Sequence, residues 1–79
     1  MDPRSAVFMR HALDQMQARG ITKTEVLAVI AKPELSYPAA NKPGVSVLGA
    51  QVGGREIRVV VGRNARGYPC VIRTWAPAD

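Results

Sequence analysis

Three side chains in this sequence could act on one chemical group: His11, Arg58 and Arg73. Two arginines on one sheet face make either a clamp for a phosphate or a solvated face with the guanidinium groups splayed apart and stacked on Trp75. Each guanidinium binds oxygen in a planar, bidentate way and stabilises charge building on a phosphoryl oxygen. His11 is the sole histidine, and imidazole is the side chain suited to proton transfer at neutral pH. It lies away from the main apolar stripe of its helix, among Arg4, Gln15 and Arg19, so a surface or capping role stands beside acid–base work. Arg19 closes that helix, where a cation suits the dipole. Arg63 and Arg66 flank a turn and are either solvated or in contact with a nucleic-acid backbone. Tyr68 and Trp75 can stack on bases, or pack in the sheet and near the C-terminus. The carboxylates Asp14, Glu25, Glu34 and Glu56 form no acid–base pair or metal set. Glu56, within the strands, is either a base or the partner of a neighbouring arginine. No cofactor and no metal are expected.

The elements that must position these residues divide the chain into a helical half (3–32), a Pro-rich connector (33–44) and a strand half (45–75). Asp2 and Pro3 suit a helix start, and Ala6, Met9, Leu13 and Met16 make a narrow apolar stripe up to Gly20. Thr22-Lys23-Thr24-Glu25 is a capping box that opens a second helix, which Pro33 ends. Gly53-Gly54 predicts a two-residue hairpin, and Asn64-Ala65-Arg66-Gly67 a second turn. The expected fold is α+β, with two N-terminal helices packed on a three-stranded antiparallel meander. Pairing Arg63 with Tyr68 then sets Val61 against Cys70, Val59 against Ile72 and Ile57 against Thr74. Across the first hairpin, Leu48 meets Val59 and Ala50 meets Ile57. These residues share one apolar face, with Cys70 a buried, inert thiol. The other face carries Gly49, Arg58, Val60, Val71, Arg73 and Trp75. There Arg58 opposes Arg73, an arrangement that costs stability unless an anion compensates it. Gly49 beside Arg58 leaves backbone open to such a ligand.

The chain has 79 residues, enough for a single domain (1–79). Hydrophobic residues make up 47% and charged residues 22%, too apolar for a disordered segment. Lys plus Arg is 11 against 6 acidic residues, a net charge of +5, and eight of the eleven are Arg, which points to a polyanion. One cysteine excludes an internal disulfide framework and a multi-cysteine zinc site. No apolar run reaches membrane-spanning length, and Met1-Asp2-Pro3-Arg4 lacks a signal-peptide pattern, so the expected location is cytoplasmic.

The run His11-Ala12-Leu13-Asp14-Gln15-Met16-Gln17-Ala18-Arg19-Gly20-Ile21 resembles the pattern His-Ala-x-x-Arg-Met-x-x-Arg-Gly-Ile of a family of small uncharacterised bacterial and phage domains. The closing run Val71-Ile72-Arg73-Thr74-Trp75 is similar to that family's apolar, Thr and aromatic ending. Gln15 stands where the family usually has Arg, and Arg73 where an apolar or small residue is expected. The order of elements also looks like that of RelE- and BrnT-type toxins. This resemblance implies metal-independent RNA cleavage through 2′-hydroxyl attack, with an acidic antitoxin or immunity protein as partner. His11, Arg19 and Thr74 are the positions that match. The leading expectation is therefore a toxin-like ribonuclease with His11, Arg58 and Arg73 as catalytic groups. Arg19, Arg63, Arg66, Tyr68, Thr74 and Trp75 would contact RNA. The alternative is a non-catalytic RNA- or protein-binding module, such as a mobile-element inhibitor of a host protein.

Overall fold

The computed structural model describes residues 6–40, 42–63 and 69–77. Its elements run β1 (Val7–Phe8), α1 (Arg10–Arg19), α2 (Lys23–Ala31), β2 (Leu35–Pro38), β3 (Ser46–Val52), β4 (Arg55–Arg63) and β5 (Pro69–Trp75). The strands form one five-stranded sheet in the order β1-β5-β4-β3-β2. The β1–β5 pair is parallel and the other pairs are antiparallel. This corrects the expected three-stranded antiparallel meander behind two N-terminal helices: a strand precedes the first helix, and another lies in the connector.

Both corrections have local causes. Val7 and Phe8 pair with Cys70 and Val71, and the Met9 N–H donates to the Val71 carbonyl at 2.9 Å. The segment thus satisfies backbone groups on the outer side of β5, and helix α1 starts only at Arg10. Met9 is consequently exposed, and Ala12 takes the place expected for it in the core beside Met16. In the connector, Ala39 N–H bonds the Val45 carbonyl at 2.9 Å, so by alternation Pro38 turns its nitrogen to the open edge of β2. A proline costs little there, because that side of an edge strand has no partner.

Gly20, at φ 66°, ends α1 in the left-handed conformation. The capping box of α2 forms as expected: Glu25 N–H donates to Thr22 Oγ1 at 3.1 Å, and Thr22 N–H donates to Glu25 Oε1 at 2.9 Å. Arg55, at the start of β4, ties this corner together. Its guanidinium donates to the carbonyls of Arg19 (3.3 Å) and Gly20 (2.7 Å) and to Glu25 Oε1 (3.3 Å).

The β3–β4 register sets Leu48 against Val59 and Ala50 against Ile57, as the Gly53-Gly54 hairpin predicts. The β4–β5 register differs from expectation. Val60 pairs with Arg73 and Val61 with Val71, so Ile72 is an extra, bulged residue. The bulge switches the side-chain alternation of β5. Val71 and Thr74, three residues apart, are both fully buried in the core as a result. Cys70 turns to the opposite face and is only half-buried, which corrects its assignment to the apolar core. The core joins Ala12, Met16, Val26 and Val29 of the helices to Ala50, Ile57, Val59 and Val71 of the sheet. Both helices therefore cover one face, and the described residues of the helical layer leave the other face open. No helix among the described residues is long and apolar enough to cross a membrane.

Candidate functional site on the open face of the sheet

Alternation along the strands places Tyr37, Val47, Gly49, Glu56, Arg58, Val60, Arg73 and Trp75 on the open face, opposite the core residues. Two rungs cross it. One runs Leu35, Gly49, Arg58, Trp75, and the next runs Tyr37, Val47, Val60, Arg73. Arg58 opposes Trp75, not Arg73. The two arginines are diagonal neighbours, a relation that spans about 7–8 Å between backbones. The bulge thus removes the direct like-charge opposition that the unbulged register requires. Both cations remain on the same face, with the Arg58 side chain directed toward β2 and Arg73 standing on β5.

Arg58 is held in place from both sides. Its Nε donates to Glu56 Oε2 at 2.6 Å and its Nη1 to the Tyr37 hydroxyl oxygen at 3.1 Å. The bond to Glu56 is the main cause that raises the guanidinium further above its ordinary range, against a smaller opposing effect of burial. To reach Tyr37, two strands away, the side chain lies flat across Gly49. A Cβ at position 49 would stand 2.9 Å from Arg58 Cδ and 3.1 Å from Leu35 Cγ. The space expected to lie open for a ligand at Gly49 is filled by Arg58 itself. Arg73, by contrast, is exposed and has no hydrogen-bond or ion-pair partner among the described residues. With Tyr37, Lys42, Val60 and Trp75 it lines a hollow of about 250 Å³. The combination of a fixed cation, a free cation and two aromatic rings suits a phosphate with its adjoining bases.

The other residues expected to contribute lie elsewhere. His11 is exposed on the first turn of α1, in the helical layer. Arg19, the last residue of α1, belongs to the same layer. Arg63 alternates onto the helix-covered side and lines a separate hollow there with Ser36 and Ser46. Arg66 and Tyr68 lie outside the described residues. Thr74 is fully buried, and its backbone N–H donates to Gln15 Oε1 at 2.9 Å. Gln15 thereby docks α1 against β5 beyond the end of β1, where that N–H lacks a strand neighbour. Sequence reasoning brought Arg58, Arg73 and Trp75 to one face, and the structure keeps them there. It missed Tyr37, because a four-residue strand between prolines leaves almost no periodic signal. Glu56 was weighed as a base or an arginine partner, and its carboxylate holds Arg58.

A family model described as a domain of unknown function, DUF4258, matches residues 8–75. That span runs from β1 to the end of β5 and includes every residue of the open-face cluster. No curated protein and no solved structure shows a significant match to the chain. The chain belongs to the DUF4258 family of small domains.

Proposed function

We propose that this domain binds single-stranded RNA on the open face of its sheet. The observation that carries the reading is the placement of Arg58 and Arg73 as diagonal neighbours on that face, with Tyr37 and Trp75 beside them. Cations track a phosphate backbone, while aromatic rings accept unstacked bases. The net charge of +5 favours a polyanion, and it equally suits an acidic antitoxin or immunity protein as a competitor for the same face. Eight of the eleven basic residues are Arg, whose planar guanidinium pairs with phosphate in a bidentate way, and the two aromatic rings beside them favour RNA as the polyanion.

The test is fluorescence anisotropy with a labelled single-stranded RNA over a range of salt concentrations. Binding should weaken with salt by a log–log slope of about −0.7 per phosphate contacted. Arg73→Ala should weaken affinity and make that slope shallower by about 0.7, the equivalent of one contact. Trp75→Ala should cost about 1–3 kcal/mol, the worth of one stacked base. His11→Ala should change neither quantity. Binding that is absent, or insensitive to salt, would refute the reading and favour a protein partner.

A further inference from the structure

We propose that Glu56 and Tyr37 are the proton-transfer pair of an RNA-cleaving site centred on Arg58. The inference rests on the RNA-binding reading and adds the chemistry that would follow binding. His11 lies in the helical layer, so any proton transfer on the open face needs another group. The described ionisable side chains of that face are Tyr37, Lys42, Glu56, Arg58, Cys70 and Arg73. Cys70 stands at the far end of β5, beside Gly62 and Ile72. Of these side chains, only Glu56 and Tyr37 flank Arg58, with a carboxylate on one side and a hydroxyl on the other.

Their hydrogen bonds leave the reactive atoms available. Arg58 Nε engages Glu56 Oε2 at 2.6 Å, and Oε1 has no partner among the described residues. Arg58 Nη1 donates to the Tyr37 oxygen at 3.1 Å, which leaves the hydroxyl hydrogen free to be given away. Tyr37 is 43% exposed, so a ligand can reach it. One guanidinium therefore sits between a proton acceptor and a proton donor. In-line displacement at phosphorus needs this arrangement, because the nucleophile and the leaving oxygen lie on opposite sides of the phosphate.

The step balances with these groups alone. Glu56 Oε1 takes the proton of a ribose 2′-hydroxyl. The O2′–P bond forms and the P–O5′ bond breaks. Tyr37 gives its proton to O5′, and Arg58 stands beside the phenolate that results. Arg58 Nη2, which neither bond uses, faces the phosphoryl oxygens, and Arg73 on β5 is left for a neighbouring phosphate of the RNA strand. The products are a 2′,3′-cyclic phosphate and a 5′-hydroxyl. Solvent then removes the proton from Glu56 and restores the one on Tyr37.

The experiment measures binding and single-turnover cleavage of one 5′-labelled RNA at saturating protein, over a range of pH. Wild type should yield cyclic-phosphate ends, and a 2′-deoxy substitution at the cut site should abolish them. Glu56→Gln should lower the rate at least about 100-fold, the lower end of general base catalysis, while RNA stays bound. It should also remove the acidic limb of the pH–rate profile. Tyr37→Phe should slow cleavage and remove the alkaline limb, and His11→Ala should leave the rate unchanged. RNA that binds to wild type and stays intact overturns this proposal and spares the binding reading. A Glu56→Gln protein that is folded, bound and fully active overturns it as well. RNA that does not bind overturns both.

Discussion

Thr74→Val should stabilise the protein and leave RNA binding untouched. Thr74 is fully buried, and its Oγ1 has no hydrogen-bond partner among the described residues. A hydroxyl buried without a partner costs about 1–3 kcal/mol by mutational measures. Valine keeps the shape, replaces the hydroxyl with a methyl group and favours the strand. The backbone N–H to Gln15 is unaffected, because that bond does not involve the side chain. The expected gain is therefore about 1–2 kcal/mol. For a domain of this size that raises the Tm by roughly 4–15 °C. Thermal and urea denaturation followed by circular dichroism would read it, with the m-value unchanged. A variant less stable than wild type by 1 kcal/mol or more, in the sense of about one hydrogen bond lost, would show that the hydroxyl is satisfied. A variant that folds and loses RNA affinity would place Thr74 at the ligand, against its burial here.

Further outcomes follow from other contacts. Gly49→Ala should keep the fold at a cost of about 1 kcal/mol and weaken RNA binding, because the new Cβ would displace Arg58 from its path to Tyr37; denaturation and anisotropy separate the two effects. Arg55→Met should destabilise by about 1–3 kcal/mol in denaturant, since it strips two carbonyls and Glu25 of one donor group. The Thr22 backbone N–H is the first cause that lowers the Glu25 pKa below its ordinary value of 4.5, aided by the Thr22 hydroxyl and by Arg55. Glu25 stabilisation is therefore complete above about pH 4.5, the unfolded-state value, and fades as pH falls through the lower folded value. Glu25→Gln should lose about 1 kcal/mol at neutral pH, and its stability curve should meet that of wild type on the acid side.

Local signals in the sequence were reliable where they act within a few residues. The capping box at Thr22 and the Gly53-Gly54 turn each carry their structure in adjacent side chains, and the hairpin then sets Leu48 against Val59. The two extra strands were not legible, because their causes are long-range. Val7 and Phe8 are a strand only because β5 offers an unpaired edge, and Leu35–Pro38 only because β3 does. The bulge at Ile72 was hidden for a related reason. Every residue from Val71 to Trp75 suits a strand, so composition cannot say where the alternation slips. Burial of both Val71 and Thr74 decides it. That slip governs the site. It moves Arg73 off the rung of Arg58 and sets Trp75 in its place. It also turns Cys70 out of the core. His11 was grouped with the arginines by its chemistry and its place in the motif, neither of which fixes a face, and the topology places the helices on the other face.

The most direct measurement is a titration of the isotope-labelled protein with a short single-stranded RNA, followed by amide and side-chain NMR shifts. The predicted result is a set of shifts on the open face: the Trp75 indole, the Arg58 and Arg73 guanidinium signals, and the backbone around Tyr37 and Val60. Shifts confined instead to α1 and α2, around His11 and Arg19, would contradict the account and return the site to the helical layer.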